Sequence, residues 1–250
     1  RNLTAAGQGD KITQEYPETA EEAFLASGRP RFNIKAMQAG KDSVKAPLLE
    51  IPATLQHIPS LKIWKLPIPG HPYVAFSDPA EGLETSDNSV TQIVHARTLE
   101  HVASIAGQWE PAYFTQISWD VVQFYNNALW GMERNNHGHV MIRVASEELK
   151  YSRLYWHEED QTMQQYRSGN EPSRRLGFPT NVQTRGPLID DLAQVIDTQA
   201  LTSYSEDFWD ECTKFVIDAK GKAAATKGAN DDQVMSMAGA RRMAMQPGAQ

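Results

Sequence analysis

Three short β-prone segments in close succession constrain the fold of this chain more than any other feature. They cover residues 73–76, 89–94 and 101–106, and short polar turns separate them. Connections of this length join antiparallel neighbours, because a parallel pair requires a crossover of a dozen or more residues. The region therefore predicts an antiparallel meander of three strands.

Helical and strand-like patterns alternate after the meander. Residues 112–127 carry apolar side chains at helical spacing, and residues 128–132 form an apolar run typical of a buried strand. Pro187 suits the first position of a later helix. Further elements are expected at residues 140–149 (helix), 151–156 (extended), 187–196 and 206–211 (helices), 215–217 (strand) and from Asp231 onward (helix). This order predicts an α/β fold with a mixed sheet and helices on both faces.

Length and composition favour one large domain with short appendages. The chain has 250 residues, of which 40% are hydrophobic, enough to bury a full core. We expect residues 1–70 to form a lead-in segment, with a capping box and short helix over 19–28 and a linker that packs on the body, and residues 71–250 to form the main domain. The absence of an initial Met indicates a piece of a longer protein. No apolar run is long enough for a membrane span.

Charge and aromatic residues add further expectations. A net charge of -7 argues against a simple basic nucleic-acid binder, so such binding would depend on local cations and metal ions. The single cysteine, Cys212, is expected to be a small buried residue. Four tryptophans lie within apolar patterns and are expected in the core: Trp109, Trp119, Trp130 and Trp156.

Carboxylates recur at the ends of predicted elements. Asp78 ends the first strand of the meander, Glu133 follows the buried strand, and Asp231 and Asp232 open the last helix. Strand ends and helix starts are where α/β folds place ligand-binding groups. Carboxylates gathered there would take up protons or bind hard cations such as Mg²⁺ or Mn²⁺. Two such ions support phosphodiester hydrolysis.

Each acid also has a structural interpretation. Asp78 precedes a proline and suits a turn, Glu133 suits a surface position, and Asp231 with Asp232 suits a helix cap. His137 and His139 flank Gly138, but a zinc site would need further His or Cys ligands nearby.

Several stretches match short sequence patterns. Glu133, Asn135 and Gly138 match an E-x-N-x-x-G pattern, and residues 177–181 with 184–185 match G-[FW]-x-T-N…T-[KR]. Taken together, they resemble the nuclease domain of the large terminase subunit of tailed bacteriophages. Asn230 replaces the histidine of the family's H-D-D-x-V pattern. The remaining stretches are residues 14–24, which resemble the exit from the terminase ATPase domain, and 78–80 with 87–89, which resemble the first nuclease strand and its turn.

The resemblance implies an RNase H-like nuclease domain that cuts concatemeric double-stranded DNA with two Mg²⁺ or Mn²⁺ ions. Asp78, Glu133 and Asp231 are then the catalytic metal ligands, with Asp232 as a close alternative and Asp87 acting through a water. No phosphate-loop motif for ATP is present, so the ATPase half is expected to be absent. The implied partners are that ATPase domain, the portal protein and the small terminase subunit. The implied location is the host cytoplasm, transiently at the procapsid portal.

Local basic residues provide candidate phosphate contacts. They are Arg174, Arg175, Arg185, Lys220, Lys222 and Lys227, and the alternative is a solvated charged face. Two other functions stay open at this point. One is a resolvase or transposase core of the same fold, and the other is a docking module in which the acids are structural.

Overall fold

The computed structural model describes residues 29–83, 87–134, 137–159, 173–218 and 221–249. The predicted capping box and helix over residues 19–28 lie outside this part of the chain. In chain order the strands are β1 (Arg29–Pro30), β2 (Leu61–Ile63), β3 (Tyr73–Asp78), β4 (Ser89–His95), β5 (Glu100–Gly107), β6 (Leu129–Met132), β7 (Trp156–Glu158), β8 (Arg174–Leu176), β9 (Thr202–Ser203), β10 (Phe215–Ile217) and β11 (Ala223–Ala225). The helices are α1 (Ile34–Lys41), α2 (Pro111–Phe124), α3 (Gly138–Arg143), α4 (Val182–Asp197), α5 (Glu206–Thr213) and α6 (Asp232–Ala244).

A mixed sheet of six strands forms the centre of the molecule. Five strands have the order β2-β5-β4-β3-β6, and β9 pairs with β5 in parallel. The β3-β4 and β4-β5 pairs are antiparallel, which confirms the predicted meander. The predicted buried strand is β6, and it pairs with β3 in parallel from Val74↔Leu129 to Ser77↔Met132. Helix α2 supplies the crossover that a parallel pair requires.

Helices cover both faces of this sheet, as predicted. Alternate side chains of β3 point to opposite faces, because successive residues of a strand do so. Val74 and Phe76 belong to a core shared with α1, α4, α5 and α6. Tyr73 and Ala75 belong to a second core shared with α2. In the described part of the chain, no helix is long and apolar enough to cross a membrane.

Residues 29–70 pack on this body. Strand β2 joins the edge of the sheet, and β1 pairs with β10. The ring of Phe32 stacks on that of Phe215, with ring centroids 5.7 Å apart. The part of the lead-in segment that is described therefore contributes to the core, while the division of the chain at residue 70 stays a prediction.

Helix α4 begins earlier than predicted. It starts at Val182, so Pro187 lies inside the helix instead of at its first position. The start is fixed by Asn181, whose side chain accepts hydrogen bonds from the N–H groups of Gln183 and Thr184. This capping box outweighs the one intrahelical hydrogen bond that proline cannot donate.

Strands β7 and β8 pair antiparallel and form a two-stranded ribbon. Trp156 lies on this two-stranded ribbon and is 54% exposed, so its predicted core position is wrong. A ribbon outside the main sheet leaves one face to solvent, and Trp156 lies there. Trp130 is fully buried, and Trp109 and Trp119 pack partly against the second core, in agreement with the prediction. Cys212 is buried, as predicted.

Helix α6 packs closely on the sheet because glycines line the contact. A Cβ at Gly239 would lie 2.2 Å from Cδ1 of Phe76, and one at Gly131 would lie 2.4 Å from Sδ of Met243. Real Cβ atoms do not approach so closely, so larger residues there would force the helix away from the sheet.

Replacing Gly239 by alanine is therefore expected to destabilise the protein by about 1–3 kcal/mol through overpacking. Urea denaturation would measure the change. The matched control is Gly248→Ala near the C-terminus, where no atom beyond the chain neighbours lies within 4 Å of the added Cβ. That variant should change the stability by no more than about 0.5 kcal/mol, since the added methyl group meets open space. Equal losses in the two variants would contradict the close-contact explanation.

Candidate active site

Asp78 and Glu133 meet at the carboxyl ends of two parallel neighbours. β3 ends at Asp78, and Glu133 directly follows β6. The N–H of Glu133 donates to the carbonyl of Ser77 at 2.9 Å, which extends the pairing by one residue. A side-chain hydrogen bond then joins the two carboxyl groups. The structure thus brings together two acids that are 55 residues apart in sequence.

The chain after Glu133 turns through a tight contact at Gly138. A Cβ on Gly138 would lie 1.8 Å from the carbonyl oxygen of Glu133. Only glycine permits this approach, which explains why the sequence pattern requires glycine five residues after the acid.

Helix α6 brings two further acids to the same edge. The hydroxyl of Ser236 donates to the carbonyl of Phe76 at 2.8 Å, so the helix crosses β3 with its N-terminus at the carboxyl end of that strand. Asp232 is buried, and its Oδ2 accepts the N–H of Asn88 at 2.8 Å. Asp231 occupies the N-cap position but caps no N–H. The helix-cap interpretation of Asp231 is therefore wrong.

Asp231 forms an ion pair instead. Its Oδ2 lies 2.5 Å from Nη2 of Arg185, on the second turn of α4. The guanidinium is itself partly buried, and its Nε has no hydrogen-bond partner in the described structure. Arg185 thus places a positive charge directly against Asp231.

Burial and repulsion by neighbouring acids shift Asp78 and Asp232 toward their protonated forms. The pKa of Asp78 is raised well above its ordinary value, first by burial and then by the charges of Glu133, Asp232 and Asp231. Burial also raises the pKa of Asp232 to about 7, and Asp87 and Asp231 add to the rise. A site that disfavours carboxylate charge in this way favours either bound protons or a bound cation.

The donor chemistry suits a hard divalent cation, but the present side-chain arrangement is not closed around one. Carboxylate oxygens are the ligands that Mg²⁺ and Mn²⁺ prefer. Among the described residues, however, no group of three His, Cys, Asp or Glu side chains has the geometry to hold a metal ion. Asp231 is engaged by Arg185 and Asp232 by Asn88. Metal binding by three of these residues therefore requires side chains to rotate.

Glu211 is a site residue that sequence reasoning missed. It lies on α5, and its Oε2 accepts the N–H groups of Gln233 and Val234 at 2.8 and 3.2 Å. It therefore caps α6 from a neighbouring helix, a role that the Asp231 side chain does not perform. Burial, with the nearby Asp232 charge, raises the pKa of Glu211 to about 8. No spacing distinguishes Glu211 from the other acids of α5, so the sequence carried no signal for it.

Three of the six predicted phosphate contacts, Arg174, Arg175 and Arg185, are paired with acids. Arg174 lies 2.5 Å from Glu158 on the β7-β8 ribbon. Arg175 lies 3.3 Å from Glu159. Lys222 and Lys227 flank β11 and are exposed, whereas Lys220 lies outside the described residues.

Comparisons with known proteins bear on this geometry. No family model and no curated protein matches the chain. Among solved structures, the large terminase nuclease of thermophilic phage G20c with bound magnesium superposes with a TM-score of 0.57 at 16% identity, covering 82% of this chain and 96% of that one. Another crystal structure of that nuclease gives a TM-score of 0.53 at 16% identity, with coverages of 83% and 97%. The K428A nuclease domain of terminase subunit gp2 from bacterial virus Sf6, with manganese and beta-thujaplicinol, gives 0.50 at 11% identity, with coverages of 86% and 98%.

This chain has the fold of a large terminase nuclease domain. The fold implied by the sequence motifs, an RNase H-like mixed sheet with helices on both faces, is thereby confirmed. At 16% identity the superposition concerns the fold and carries no residue roles across.

The acid cluster predicts a pH-dependent stability in the absence of metal. Asp232 has a folded pKa of about 7, whereas its ordinary pKa is 3.8. Between these two pH values the folded state retains a proton that the unfolded state has released. The free energy of unfolding is therefore expected to fall as pH rises from about 5 to 8, on the order of 2 kcal/mol. Urea denaturation in EDTA would measure it.

Two comparisons check that prediction. Asp232→Asn retains an oxygen that can accept the Asn88 N–H but removes the titration, so its stability should vary less with pH. Mg²⁺ should stabilise the wild type more at the higher pH, where the acids are ionised. An unchanged pH profile in Asp232→Asn would refute the assignment.

The capping role of Glu211 predicts different effects for two substitutions. Glu211→Ala leaves two N–H groups of α6 without their acceptor and should cost about 1–2 kcal/mol. Glu211→Gln keeps an acceptor oxygen without the charge, so it should cost less. Urea denaturation would measure the free energy of unfolding of both variants. Equal losses of stability would rule out capping as the contribution of Glu211.

Proposed function

We propose that this chain is the nuclease domain of a viral DNA-packaging terminase large subunit, which cuts double-stranded DNA endonucleolytically with divalent metal ions. The observation that carries the proposal is the convergence of Asp78, Glu133, Asp231 and Asp232 at one sheet edge. Its fold neighbours are large terminase nucleases, solved in some cases with magnesium or manganese. The charged forms of Asp78 and Asp232 are disfavoured by burial and by neighbouring acids, so a bound cation would stabilise both as carboxylates.

We assign a ligand role to each acid according to its position in the cluster. Asp78 lies between Glu133 on one side and the N-terminus of α6 on the other, so it would contact both of two Mg²⁺ or Mn²⁺ ions. Glu133 would complete one ion and Asp231 the other, with Asp232 as the alternative to Asp231. Bound ions of this kind activate a water and stabilise the leaving oxygen of a phosphodiester.

Arg185 has two functions in this scheme. Without metal, its guanidinium neutralises Asp231 across 2.5 Å. When Asp231 binds a cation, the guanidinium becomes available for a phosphate oxygen, which it can bind through two parallel N–H donors. Arg185 would then hold the DNA backbone beside the acids.

The place of the domain in a larger machine is part of the same proposal. Residues 71–250 would form the nuclease domain, and residues 1–70 would lead in from an ATPase domain. The portal protein and the small terminase subunit would be its partners. The host cytoplasm and the procapsid portal would be its sites of action.

Cleavage of supercoiled plasmid tests the proposed activity. We expect nicked and linear products with Mn²⁺ or Mg²⁺ and none in EDTA. Asp78→Asn removes a charge from the centre of the acid cluster, so it should reduce the rate at least about 100-fold while keeping the fold. The matched control is Asp197→Asn on the last turn of α4, an exposed acid outside the cluster, which should cleave like the wild type.

The outcomes separate the alternatives. Metal-dependent cleavage that survives in Asp78→Asn would refute the site. A strong preference for branched over linear duplex would favour a resolvase of the same fold. A stable protein that shows no cleavage at high Mn²⁺ would favour a docking module.

A further inference from the structure

A second feature lies beside the acids. A cavity of about 650 Å³ opens between α5, the β10-β11 hairpin and the N-terminus of α6. Asn88 and Gln233 line it on the side of the acids. Asn88 donates its N–H to Asp232, and Gln233 is the next residue after Asp232. The cavity therefore begins one residue away from the acid cluster.

Two lysines of this cavity stand without a counter-ion. Lys214 and Lys227 both line it, and within the described ranges neither ammonium forms an ion pair. Their placement is fixed by the hairpin, because the N–H of Thr226 donates to the carbonyl of Lys214 at 2.9 Å. Lys214 precedes β10 and Lys227 closely follows β11, so the two ammonium groups belong to the same end of the hairpin.

The acids that line the same cavity are each engaged by other groups. Asp207 is 2.5 Å from Lys62, and Asp210 is 3.4 Å from Lys41. Glu211 accepts two N–H groups of α6. The charge left for a ligand is therefore positive, although the chain as a whole has a net charge of -7.

A neutral donor is present as well. The hydroxyl oxygen of Thr226 is buried and has no hydrogen-bond partner in the part of the structure that is described. A buried polar atom of this kind normally finds a partner, because leaving it unpaired costs free energy. Two ammonium groups and a hydroxyl form a donor set that suits phosphate oxygens.

We propose that this cavity binds a backbone phosphate of duplex DNA on the strand whose scissile phosphate lies at the acids. The inference rests on the proposed function and adds a second anchoring point for the substrate. Each strand of duplex DNA presents a phosphate about every 3.4 Å along the helix axis, so a strand held at Asp232 passes the neighbouring cavity. Lys214 and Lys227 contact that phosphate, and the Thr226 hydroxyl donates to it.

Binding of a fluorescently labelled 20-base-pair duplex to the full chain, measured by anisotropy in EDTA, tests the proposal without cleavage. Lys214→Gln and Lys227→Gln should each weaken binding about three- to tenfold at low salt and lower the slope of log affinity against log salt by about 1. Thr226→Val keeps the shape without the donor and should weaken binding about two- to fivefold, with the slope unchanged.

The control is Lys35→Gln on α1, an exposed lysine away from the cavity, which should bind like the wild type. Circular dichroism and thermal melting would confirm that all variants are folded. Unchanged affinity and salt slope in the Lys214→Gln, Lys227→Gln double variant would overturn the proposal, as would equal losses in Lys35→Gln. Because binding is read separately from plasmid cleavage, lysine effects without any cleavage would refute the nuclease and leave the DNA contact standing.

Discussion

Asp78 and Glu133 lie side by side because β3 and β6 are parallel and end in register. Parallel neighbours bring their carboxyl ends to one edge of the sheet, so the residues that follow them meet there. The meander supports β3 on its other side, and α2 provides the crossover to β6. Helix α6 then depends on the same pair, since Gly239 rests on the ring of Phe76 and Gly131 leaves room for Met243. Without this pairing neither the first two acids nor the helix that carries the others would converge.

Bringing these carboxylates together is unfavourable in free energy, and several separate interactions offset this. Arg185 neutralises Asp231, and the N–H of Asn88 donates to Asp232. Glu211 caps α6, a task that Asp231 would otherwise perform. The raised pKa values of Asp78 and Asp232 show that their charged forms are still disfavoured. A divalent cation would stabilise these charged forms, which links the electrostatics of the site to the proposed chemistry.

The distribution of charge also answers an objection raised by the composition. An acidic chain is an improbable DNA-binding protein if only its net charge is considered. Here the arginines of the β7-β8 ribbon and the lysines around α5 are largely paired with acids, whereas Lys214 and Lys227 are not paired within the described residues. Positive charge is thus available beside the acid cluster, where a DNA strand would need it.

The sequence by itself determined the meander, the buried strand, the last helix and the identity of the acids, because periodicity and turn residues are local signals. It placed the start of α4 too late, since the Asn181 cap outweighed the proline signal, and it assigned Trp156 to a core that its ribbon does not reach. Only the tertiary structure decided that Glu211 caps α6, that Arg185 pairs with Asp231, and that Lys214 and Lys227 share a cavity. Those contacts join residues from separate elements, and no local pattern records which helix or hairpin will lie beside which.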